Sequence, residues 1–388
     1  MRVASLLCRA TALLSAVVQG LALASRNTSV SFRNEAIATR GDRPVVKAPK
    51  SGCPPFKKGN FSINAFQLYP ENMDWDGNLC QVYIGILFNA SFGIYDPYKE
   101  ALDVVEFPGY TQHREFHVGG VAWDPHSGLA SVIVGQGNAF ETAGANISGT
   151  NLLKKYDPLT RKFLWTVNLT ATTQGSYGGF NDAAHDPEGN TYICGTFPSS
   201  ILKINPQGAK VVPWYLPQAT DHTIRGISGI AAHGNTLLGF DSGTGVLYRF
   251  DATASTGTAI PVPFTPDQPL TSGDSIRLPI KFKGRVLLIA NARGIAVLRS
   301  KDASWRTAEF LGVVPNASDL PPGPIIVSSV QIGEKLYIVN DWFADPIVPG
   351  TTAGGKTSFP MVEITKQVDD LLLLGLMYLQ RVCSFSEL

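Results

Sequence analysis

The 388-residue sequence is short of charge and lacks the patterns of several common protein classes. Only 16% of its residues are charged, the formal net charge is +1, and no dense run of Lys or Arg occurs. Because a surface that follows nucleic acid phosphates needs clustered positive charge, we expect no nucleic acid partner. The sequence also has no CxxC pair and no Cys/His spacing that suits zinc, so no zinc site is expected.

The motifs of serine hydrolases are absent or incomplete. No G-x-S-x-G segment occurs. Residues 273–276, GDSI, copy the nucleophile block of a lipase family, but such a serine needs a later histidine as its base. The last histidine of the chain is His233, so no base follows Ser275. We therefore interpret GDSI as part of a structural repeat.

Two apolar runs stand apart from the rest of the chain, one at each end. Residues 1–24 combine two arginines, an apolar stretch and a small-x-small site, which predicts a signal peptide; a buried N-terminal helix is the alternative. Residues 371–379, LLLLGLMYL, are too few to span a bilayer and predict a helix packed under the fold, unless the tail comes from a shifted reading frame. We expect no membrane span and a location in the secretory pathway, either secreted or held in the endomembrane lumen.

Cysteines and sequons agree with a secretory route. Cys53 and Cys80 are the plausible disulfide pair in an oxidising compartment, where they would tie an N-terminal arm to the first repeat. Cys194 lies in an apolar strand and is predicted to be a buried thiol. Six N-x-S/T sequons are candidate glycosylation sites, at Asn27, Asn60, Asn89, Asn146, Asn168 and Asn316.

What the chain does contain is a repeated hairpin, with 38 glycines and 26 prolines available for turns. HVGGVAWDPHSGLASVIVG from His117, GGFNDAAHDPEGNTYICGT from Gly178 and ISGIAAHGNTLLGFDSG from Ile227 each predict a strand, a short turn and a second strand. A second hairpin with an Asp or Asn turn follows each, as in LLKKYDPLTRKFLWTV. Six units of four strands predict an all-β, six-bladed β-propeller, and a β-sandwich with irregular hairpins is the alternative.

The repeat sets the expected organisation of the chain. The propeller is predicted over residues 61–366, after an N-terminal arm at 25–60 and before a C-terminal tail at 367–388. In a propeller the first strand of each blade lines the central channel, so equivalent positions on these strands form a ring at one mouth. The aligned positions are Glu71, Gly119, Asn181, Ser228, Asp274 and Ser328.

A ring that contains two carboxylates and an amide predicts a functional site. Buried carboxylates are costly unless a cation, an arginine or a polar ligand compensates them. Arg225 and Arg277 flank the ring residues of their own blades, and pairing of either arginine with Glu71 or Asp274 is the purely structural alternative. Arg225 and Ser228 are also candidate substrate-binding residues.

Other polar and aromatic residues near the ring have two interpretations each. His117 and His185 are candidates for proton transfer near neutral pH, or else are hydrogen-bonded structural histidines. Asp182 is expected to face away from its neighbour on the strand and to serve as a cap. Tyr177 and Trp75 are candidates for an apolar cup around a substrate, or else pack between blades.

The ring resembles the metal site of senescence-marker-protein and gluconolactonase-like propellers. FNDAAHDPEGNTYICGT is similar to their N-D-G-x-x-D-P-x-G segment, and Glu71 and Asp274 fit their first-blade Glu and later Asp. The resemblance implies a divalent cation, calcium, held by Glu71, Asn181 and Asp274. The chain departs from that pattern at Ser228, where the family has a metal-binding Asn, and loss of an oxygen ligand weakens binding of a hard cation.

A closer resemblance covers nearly the whole mature chain. INAFQLYPENMDWDGNLCQVYIGILFNASFGIYDPYKE and QGSYGGFNDAAHDPEGNTYICGTFPSSI resemble the fungal family called core trichothecene cluster protein fourteen. The resemblance implies a role in secondary metabolism, in the making of trichothecene-type sesquiterpenoid toxins, including ring closure of an oxygenated intermediate.

Three functions from different classes remain open at this point. The first is a cyclase, in which Glu71, Asp274 and His117 act on a terpenoid-like small molecule that Asn181, Ser228, Arg225 and Tyr177 bind. The second is a metal-dependent lactonase or related hydrolase. The third is a non-catalytic binding or carrier propeller, because a fold alone does not give a function. A monomer is expected in each case.

Overall fold

A computed structural model describes residues 52–218, 221–267, 270, 272–316 and 323–385, the last ten of these through their backbone alone. The predicted signal peptide and Asn27 lie outside the described residues. Six antiparallel sheets surround a central channel, which confirms the six-bladed β-propeller. Each innermost strand contacts the innermost strand of the next blade, and the last contacts the first, so the ring is closed.

The blades follow the chain in order, apart from the first strand, β1 (Phe61–Asn64). Blade 1 consists of β2 (Pro70–Asp76), β3 (Gln81–Ile86), β4 (Ser91–Asp96) and β5 (Ala101–Glu106). Blade 2 consists of β6 (Phe116–Trp123), β7 (Ala130–Gln136), β8 (Leu152–Asp157) and β9 (Lys162–Asn168). Blade 3 consists of β10 (Gly178–His185), β11 (Thr191–Phe197), β12 (Ser200–Ile204) and β13 (Val211–Tyr215). Blade 4 consists of β14 (Ile227–His233), β15 (Thr236–Asp241), β16 (Leu247–Asp251) and β17 (Ile260–Pro261).

The last two blades depart from this simple pattern. Blade 5 has five strands, β18 (Phe264–Thr265), β19 (Ile276–Arg277), β20 (Val286–Asn291), β21 (Gly294–Arg299) and β22 (Ala308–Pro315), with β18 parallel to β22 at the outer edge. Blade 6 consists of β23 (Ile325–Ile332), β24 (Lys335–Asp341) and β25 (Ser358–Glu363), and β1 completes it by pairing with β25. The sixth sequence repeat is therefore incomplete because its fourth strand comes from the other end of the propeller.

Among the described residues, three α-helices and one short 3-10 helix (Ile280–Phe282) lie outside the sheets. α1 (Asn138–Glu141) and α2 (Leu169–Thr172) sit in connections at the end of the channel where β2 begins. α3 (Thr365–Phe385) follows β25 and packs against β22 and β24 through Val368 and its neighbours, so the predicted C-terminal helix is present. Within the described part of the chain, no helix is long and apolar enough to cross a membrane.

Apolar side chains fill the spaces between neighbouring blades. Six clusters of buried residues occur, each with contributions from two adjacent sheets. Between blades 3 and 4, for example, Trp214 packs on Tyr192 and Phe250 with ring centroids 5.0 and 5.7 Å apart. Each large side chain buried in this way contributes roughly 1.5–3 kcal/mol, so the wedges between blades hold the ring together.

The aspartates of the repeated turns act as predicted. Asp96, Asp157 and Asp251 end the third strand of their blades, and each accepts the backbone N–H two residues later at 3.0, 3.0 and 2.9 Å. This Asx geometry closes the turn of the second hairpin. Cys53 and Cys80 form a disulfide with 5.5 Å between their Cα atoms, and Cys194 is a free, buried thiol, which confirms both predictions.

A β-bulge interrupts the innermost strand near its start. The pairing register shifts at Glu71 in β2, at Asn181 in β10, at Ser228 in β14 and at Val327 in β23. A bulge places two successive residues opposite one partner, so the alternation of side chains breaks at this level. This local irregularity, which is repeated around the ring, shapes the candidate site.

Candidate functional site

Three of the predicted ring residues gather at the upper mouth, which we define as the end of the channel where the innermost strands begin. The Asn181 side-chain amide donates to Oδ1 of Asp274 and to the Ser228 carbonyl, both at 3.2 Å. The Ser228 hydroxyl donates to backbone carbonyls at Asp274 (3.0 Å) and Gly273 (3.3 Å), so it braces the loop that carries Asp274. Ser228 is therefore a support for Asp274 in this structure.

Glu71 lies at the same mouth with an unsatisfied carboxyl oxygen. Its Oε2 is buried and finds no hydrogen-bond partner among the residues that the structure describes. Burial raises the pKa of Glu71 well above its usual range, and the nearby carboxyls of Asp274, Asp341 and Asp182 raise it further against an opposing contribution from Arg225. The site therefore favours the protonated form of Glu71.

Asp341 is a member of this site that the sequence analysis missed. It ends β24 in blade 6 and is fully buried, and its Oδ2 also lacks a hydrogen-bond partner within the described part of the chain. Burial raises the pKa of Asp341 to about 8. Because Asp341 is on a second strand and not on an innermost one, the ring alignment could not find it. The only signal in the sequence is a buried-strand pattern, KLYIVND, that ends in a charged residue.

Asp274 differs from Glu71 in the groups that act on its pKa. Burial raises the pKa of Asp274 to about 6, while the charge of Arg225 and the hydrogen bond from Asn181 lower it. At pH 7 most of Asp274 is therefore ionised, while the pKa of Glu71 is raised well above its usual range. Two carboxyl groups whose environments separate their pKa values in this way are suited to act as an acid and a base.

The two arginines turn out to have different positions. Arg277 Nη1 lies 3.2 Å from Asp74 Oδ1, and Arg277 Nη2 donates to Asn72 Oδ1 at 3.1 Å, so this arginine belongs to the channel below the mouth. Arg225 is exposed and forms no ion pair with Glu71 or Asp274 among the described contacts. It influences both carboxyls only at longer range. The structural alternative, direct pairing of an arginine with the ring carboxyls, is therefore wrong.

One residue further along the strands, side chains meet across the channel and close it; we call this layer the plug. Asp182 Oδ1 accepts from the Asn72 amide at 3.1 Å, and Asp182 Oδ2 accepts from the Ser275 hydroxyl at 2.8 Å. Asp182 also accepts the backbone N–H groups of Ala183 and Ile230. The expectation that Asp182 faces away from Asn181 is wrong, because the bulge at Asn181 breaks the strand alternation and both side chains point into the channel, at successive levels.

Ser328 belongs to the plug and not to the mouth. Its hydroxyl donates to Asn72 Oδ1 at 3.4 Å, and the bulge in β23 puts Val327 at the level where the alignment had placed Ser328. Gly120 supplies no side chain to the plug. A larger residue would not fit at this position, because its Cβ would lie 2.3 Å from the Asn181 carbonyl oxygen. The plug thus combines Asn72, Asp182, Ser275 and Ser328, which come from blades 1, 3, 5 and 6. Their side chains are joined by hydrogen bonds.

The three predicted calcium ligands do not fit a calcium ion. The Asn181 amide nitrogen faces Asp274, while its oxygen lies beside Gly119, 3.1 Å from where a Cβ at that residue would be. The Ser228 hydroxyl is used by backbone carbonyls. Calcium takes six to eight oxygen ligands, and this donor set falls short of that number. Within the described residues, no group of three or more His, Cys, Asp or Glu is arranged to hold a metal.

His117 sits on the rim of the upper mouth. Its ring packs edge-on against Phe88 with centroids 5.6 Å apart, and its Nε2 lies 3.9 Å from a carboxylate oxygen of Glu141. Burial lowers the pKa of His117 to about 4, so the imidazole is neutral at pH 7. It is therefore placed to contact a bound molecule as a neutral group and not as a cation.

His185 and Tyr177 have structural partners. His185 Nε2 lies 2.9 Å from the Ser131 hydroxyl and 3.0 Å from Lys155 Nζ, in a buried cluster between blades 2 and 3. Burial and the neighbouring Lys155 lower the pKa of His185 well below its usual range, so it is neutral. The Tyr177 hydroxyl donates to the Pro217 carbonyl at 2.9 Å and thereby joins two connections on the upper face.

Exposed apolar side chains surround the upper mouth. Phe343 follows Asp341 and lies 6.3 Å from Phe88, ring centroid to centroid. Phe140 in α1 and Ile224, next to Arg225, are also exposed on the connections of this face. Apolar groups around a few converging polar ones are typical of small-molecule sites. Trp75, by contrast, lies at the opposite end of the channel, so its predicted place in this cup is wrong.

The sequons differ in accessibility. Asn60, Asn146 and Asn168 are exposed, whereas the Asn89 side chain donates to the Gln67 carbonyl and accepts from the Thr352 hydroxyl. Asn316 is half-buried, and its amide donates to Asn340 Oδ1 at 2.9 Å. Glycosylation stays a prediction at all of these positions.

Fold and site together define a six-bladed propeller with carboxyls of raised pKa at one channel mouth. No family model matches the chain. Trichothecene biosynthesis protein 14 of Trichoderma arundinaceum is 31% identical over 338 residues, which cover 82% of this chain and 92% of that protein. Core trichothecene cluster protein 14 of Fusarium sporotrichioides is 29% identical over 341 residues, which cover 83% and 88%. The chain belongs to this family, as the sequence resemblance indicated.

Solved structures share the propeller at lower sequence identity. The major allergen Mala s 1 of Malassezia sympodialis matches with a TM-score of 0.68 at 20% identity, over 79% of this chain and 96% of that chain. A gluconolactonase of Xanthomonas campestris matches with a TM-score of 0.48 at 13% identity, over 78% and 89%. The first of these supports the fold.

Proposed function

We propose that the protein acts in fungal trichothecene-type sesquiterpenoid biosynthesis and that it closes an oxygen-containing ring in a hydroxylated terpenoid. The names of the two relatives support the pathway. The observation that carries the chemistry is the buried carboxyl oxygen of Glu71 that has no hydrogen-bond partner among the described residues, in a mouth where burial and the carboxyl of Asp274 raise the pKa of Glu71. A polar ligand at this mouth would satisfy both groups.

The proposed reaction is an intramolecular substitution with loss of water. A hydroxyl group of the substrate attacks an allylic carbon of the same molecule, and Asp274 takes the proton from that hydroxyl. The bond from the allylic system to a second hydroxyl breaks, and Glu71 gives its proton to the departing oxygen, which leaves as water. Positioned general acids and bases of this kind typically contribute about 10²–10⁴-fold each.

The surrounding residues have supporting roles in this proposal. Asn181 and Ser228 fix the loop of Asp274, and burial together with the charge of Asp274 raises the pKa of Glu71. Phe88, Phe343 and the neutral ring of His117 line the rim that would receive the hydrocarbon skeleton. The proposed setting is the lumen of the secretory pathway, with the protein as a monomer.

The test is turnover of a hydroxylated sesquiterpenoid that carries an allylic hydroxyl, followed as loss of one water by mass spectrometry. We expect Glu71→Gln and Asp274→Asn each to lower turnover at least about a hundredfold. Glu188→Gln, a change of an exposed glutamate on a distant turn, is the matched control and should keep full activity.

Two results would overturn the cyclase, and a third would favour a different reaction. Full turnover by Glu71→Gln would remove the acid from the mechanism. Saturable binding of the substrate with no turnover by the wild-type protein would instead assign a binding or carrier function. Hydrolysis of a lactone substrate without loss of water would point to the hydrolase alternative.

A further inference from the structure

The other end of the channel, which we call the lower mouth, holds a cavity of about 310 Å³ that the proposed reaction does not use. Trp75 and Trp123 line it from the ends of β2 and β6. Gln331 lines it from the end of β23, and Ile280 lines it from the segment after β19. Since four blades contribute the ends of their innermost strands or the residues just after them, the cavity lies on the channel.

The plug separates this cavity from the upper mouth. Asn72, Asp182 and Ser275 meet in the channel with contacts of 2.8–3.4 Å. Arg277 lies below them and donates to Asn72 Oδ1 and to the Met73 carbonyl. A molecule at the lower mouth therefore has no path along the channel to Glu71, and the two ends are independent sites.

A single carboxylate holds the two tryptophans in place. Asp74 accepts the backbone N–H of Trp75 at 2.9 Å and the backbone N–H of Trp123 at 2.8 Å, although the two residues are on different blades. Arg277 neutralises the same carboxylate at 3.2 Å. The walls of the cavity are thus ordered before any ligand arrives, and the exposed acidic residue Glu334, which also lines the cavity, disfavours an anionic ligand.

One donor of the lower mouth is left over. The Gln331 amide is used on both sides, because its oxygen accepts from the Lys281 backbone N–H and its nitrogen donates to the Gly333 carbonyl. The indole Nε1 of Trp123 is buried and has no hydrogen-bond partner among the described residues. A buried donor without a partner costs roughly 1–3 kcal/mol, and an acceptor on a ligand would remove that cost.

We propose that the lower mouth binds a small neutral ring compound with one acceptor oxygen, such as a cyclic ketone, ether or ester. The two indole rings and Ile280, whose side chain is 64% exposed, supply the apolar contacts. The Trp123 N–H supplies the single directional bond. The cavity volume is at the small end of the range of ligand sites, roughly 300–1,000 Å³, so the ligand is small.

The test uses acetophenone as the probe and ethylbenzene, which has the same shape without the carbonyl, as its partner. The chain has six tryptophans, and their indole N–H signals are followed by nuclear magnetic resonance in ¹⁵N-labelled protein. Trp123→Phe identifies the signal of Trp123. We expect acetophenone to shift that signal saturably, and ethylbenzene to bind about fivefold to tenfold more weakly because it cannot accept the hydrogen bond.

Two surface variants keep the test decisive even where Trp123→Phe fails to fold. Ile280→Asp places a charge at the edge of the cavity and should lower the affinity for acetophenone at least about tenfold. Leu159→Asp changes a side chain that is equally exposed, at 64%, on a turn outside the cavity, and should leave binding unchanged. Equal binding by these two variants, equal affinity for both probes, or a Trp123 signal that does not respond would overturn the proposal.

Discussion

The upper mouth and the plug are adjacent layers of the same channel, but they differ in whether their buried polar groups have hydrogen-bond partners. In the plug, Asp182 accepts four hydrogen bonds and is complete without a ligand. At the mouth, Glu71 and Asp341 each keep a buried carboxyl oxygen without a partner among the described residues. Buried polar groups are normally satisfied, so the plug is a structural network, whereas the mouth is where we propose that a ligand binds.

The largest effect should come from breaking the plug. Asp182→Ala removes the acceptor of the Ser275 hydroxyl and of two backbone N–H groups, leaves the Asn72 amide with only its longer bond to Ser275, and leaves Arg277 with one carboxylate fewer. Removal of one member of a buried charged network costs about 3–5 kcal/mol. Denaturant unfolding should show this loss, with exposed Asp302→Ala as the control. A loss below about 1 kcal/mol would mean that the plug is not structural.

The two arginines offer a direct contrast between the layers. Arg277→Met removes the bonds to Asn72, Met73 and Ser329 and the ion pair to Asp74, so we expect it to lower the free energy of unfolding by about 3 kcal/mol or more. Arg225→Met removes an exposed side chain that forms no ion pair among the described residues. This change should alter the free energy of unfolding by less than about 0.5 kcal/mol. Equal losses from both changes would contradict the assignment of only one arginine to the structural layer.

The mouth should make stability depend on pH in a definite direction. The folded-state pKa of Asp341 is raised to about 8, which means that folding favours its proton. Its stabilising contribution is therefore present below the unfolded pKa of about 4 and is lost as pH rises towards 8. We expect the free energy of unfolding to fall from pH 5 to pH 8 by more than about 1 kcal/mol, and Asp341→Asn to reduce that fall. An unchanged pH dependence in the variant would show that Asp341 is ionised in the folded protein.

The smallest effect concerns the exposed arginine and catalysis. The charge of Arg225 lowers the pKa of Asp274 from a distance, so Arg225→Met should move the acidic limb of the turnover profile upward from about pH 6 by less than about one unit. The midpoint of that limb is the measurement. A midpoint that moves downward, or a profile without an acidic limb near pH 6, would disagree with Asp274 as the base.

The propeller was predictable because its signals are local and repeated. Asp96, Asp157 and Asp251 mark equivalent turns, and the alternation of apolar residues marks the strands between them. Glu71, Asn181 and Asp274 were found for the same reason, since they occupy equivalent repeat positions. The disulfide between Cys53 and Cys80 followed from the expected compartment and the small number of cysteines.

The errors have a common physical origin in the bulges. One extra residue in the innermost strands of blades 3 and 6 places Asp182 in the channel and Ser328 in the plug, and no turn or periodicity signal in the sequence predicts it. Asp341 was missed because its burial depends on contact between blades 6 and 1, which are far apart in the sequence. Which arginine reaches which carboxylate also depends on this tertiary arrangement.

Infrared difference spectroscopy can show whether the Glu71 carboxyl at the upper mouth is protonated, as the proposed reaction requires. Spectra of the wild-type protein and of Glu71→Gln are compared at pH 7 in the absence of ligand. We expect the variant to lose intensity in the carbonyl stretch of a protonated carboxylic acid, while the carboxylate bands stay the same. Loss of carboxylate intensity with no change in the protonated band would show that Glu71 is ionised and would exclude it as the acid.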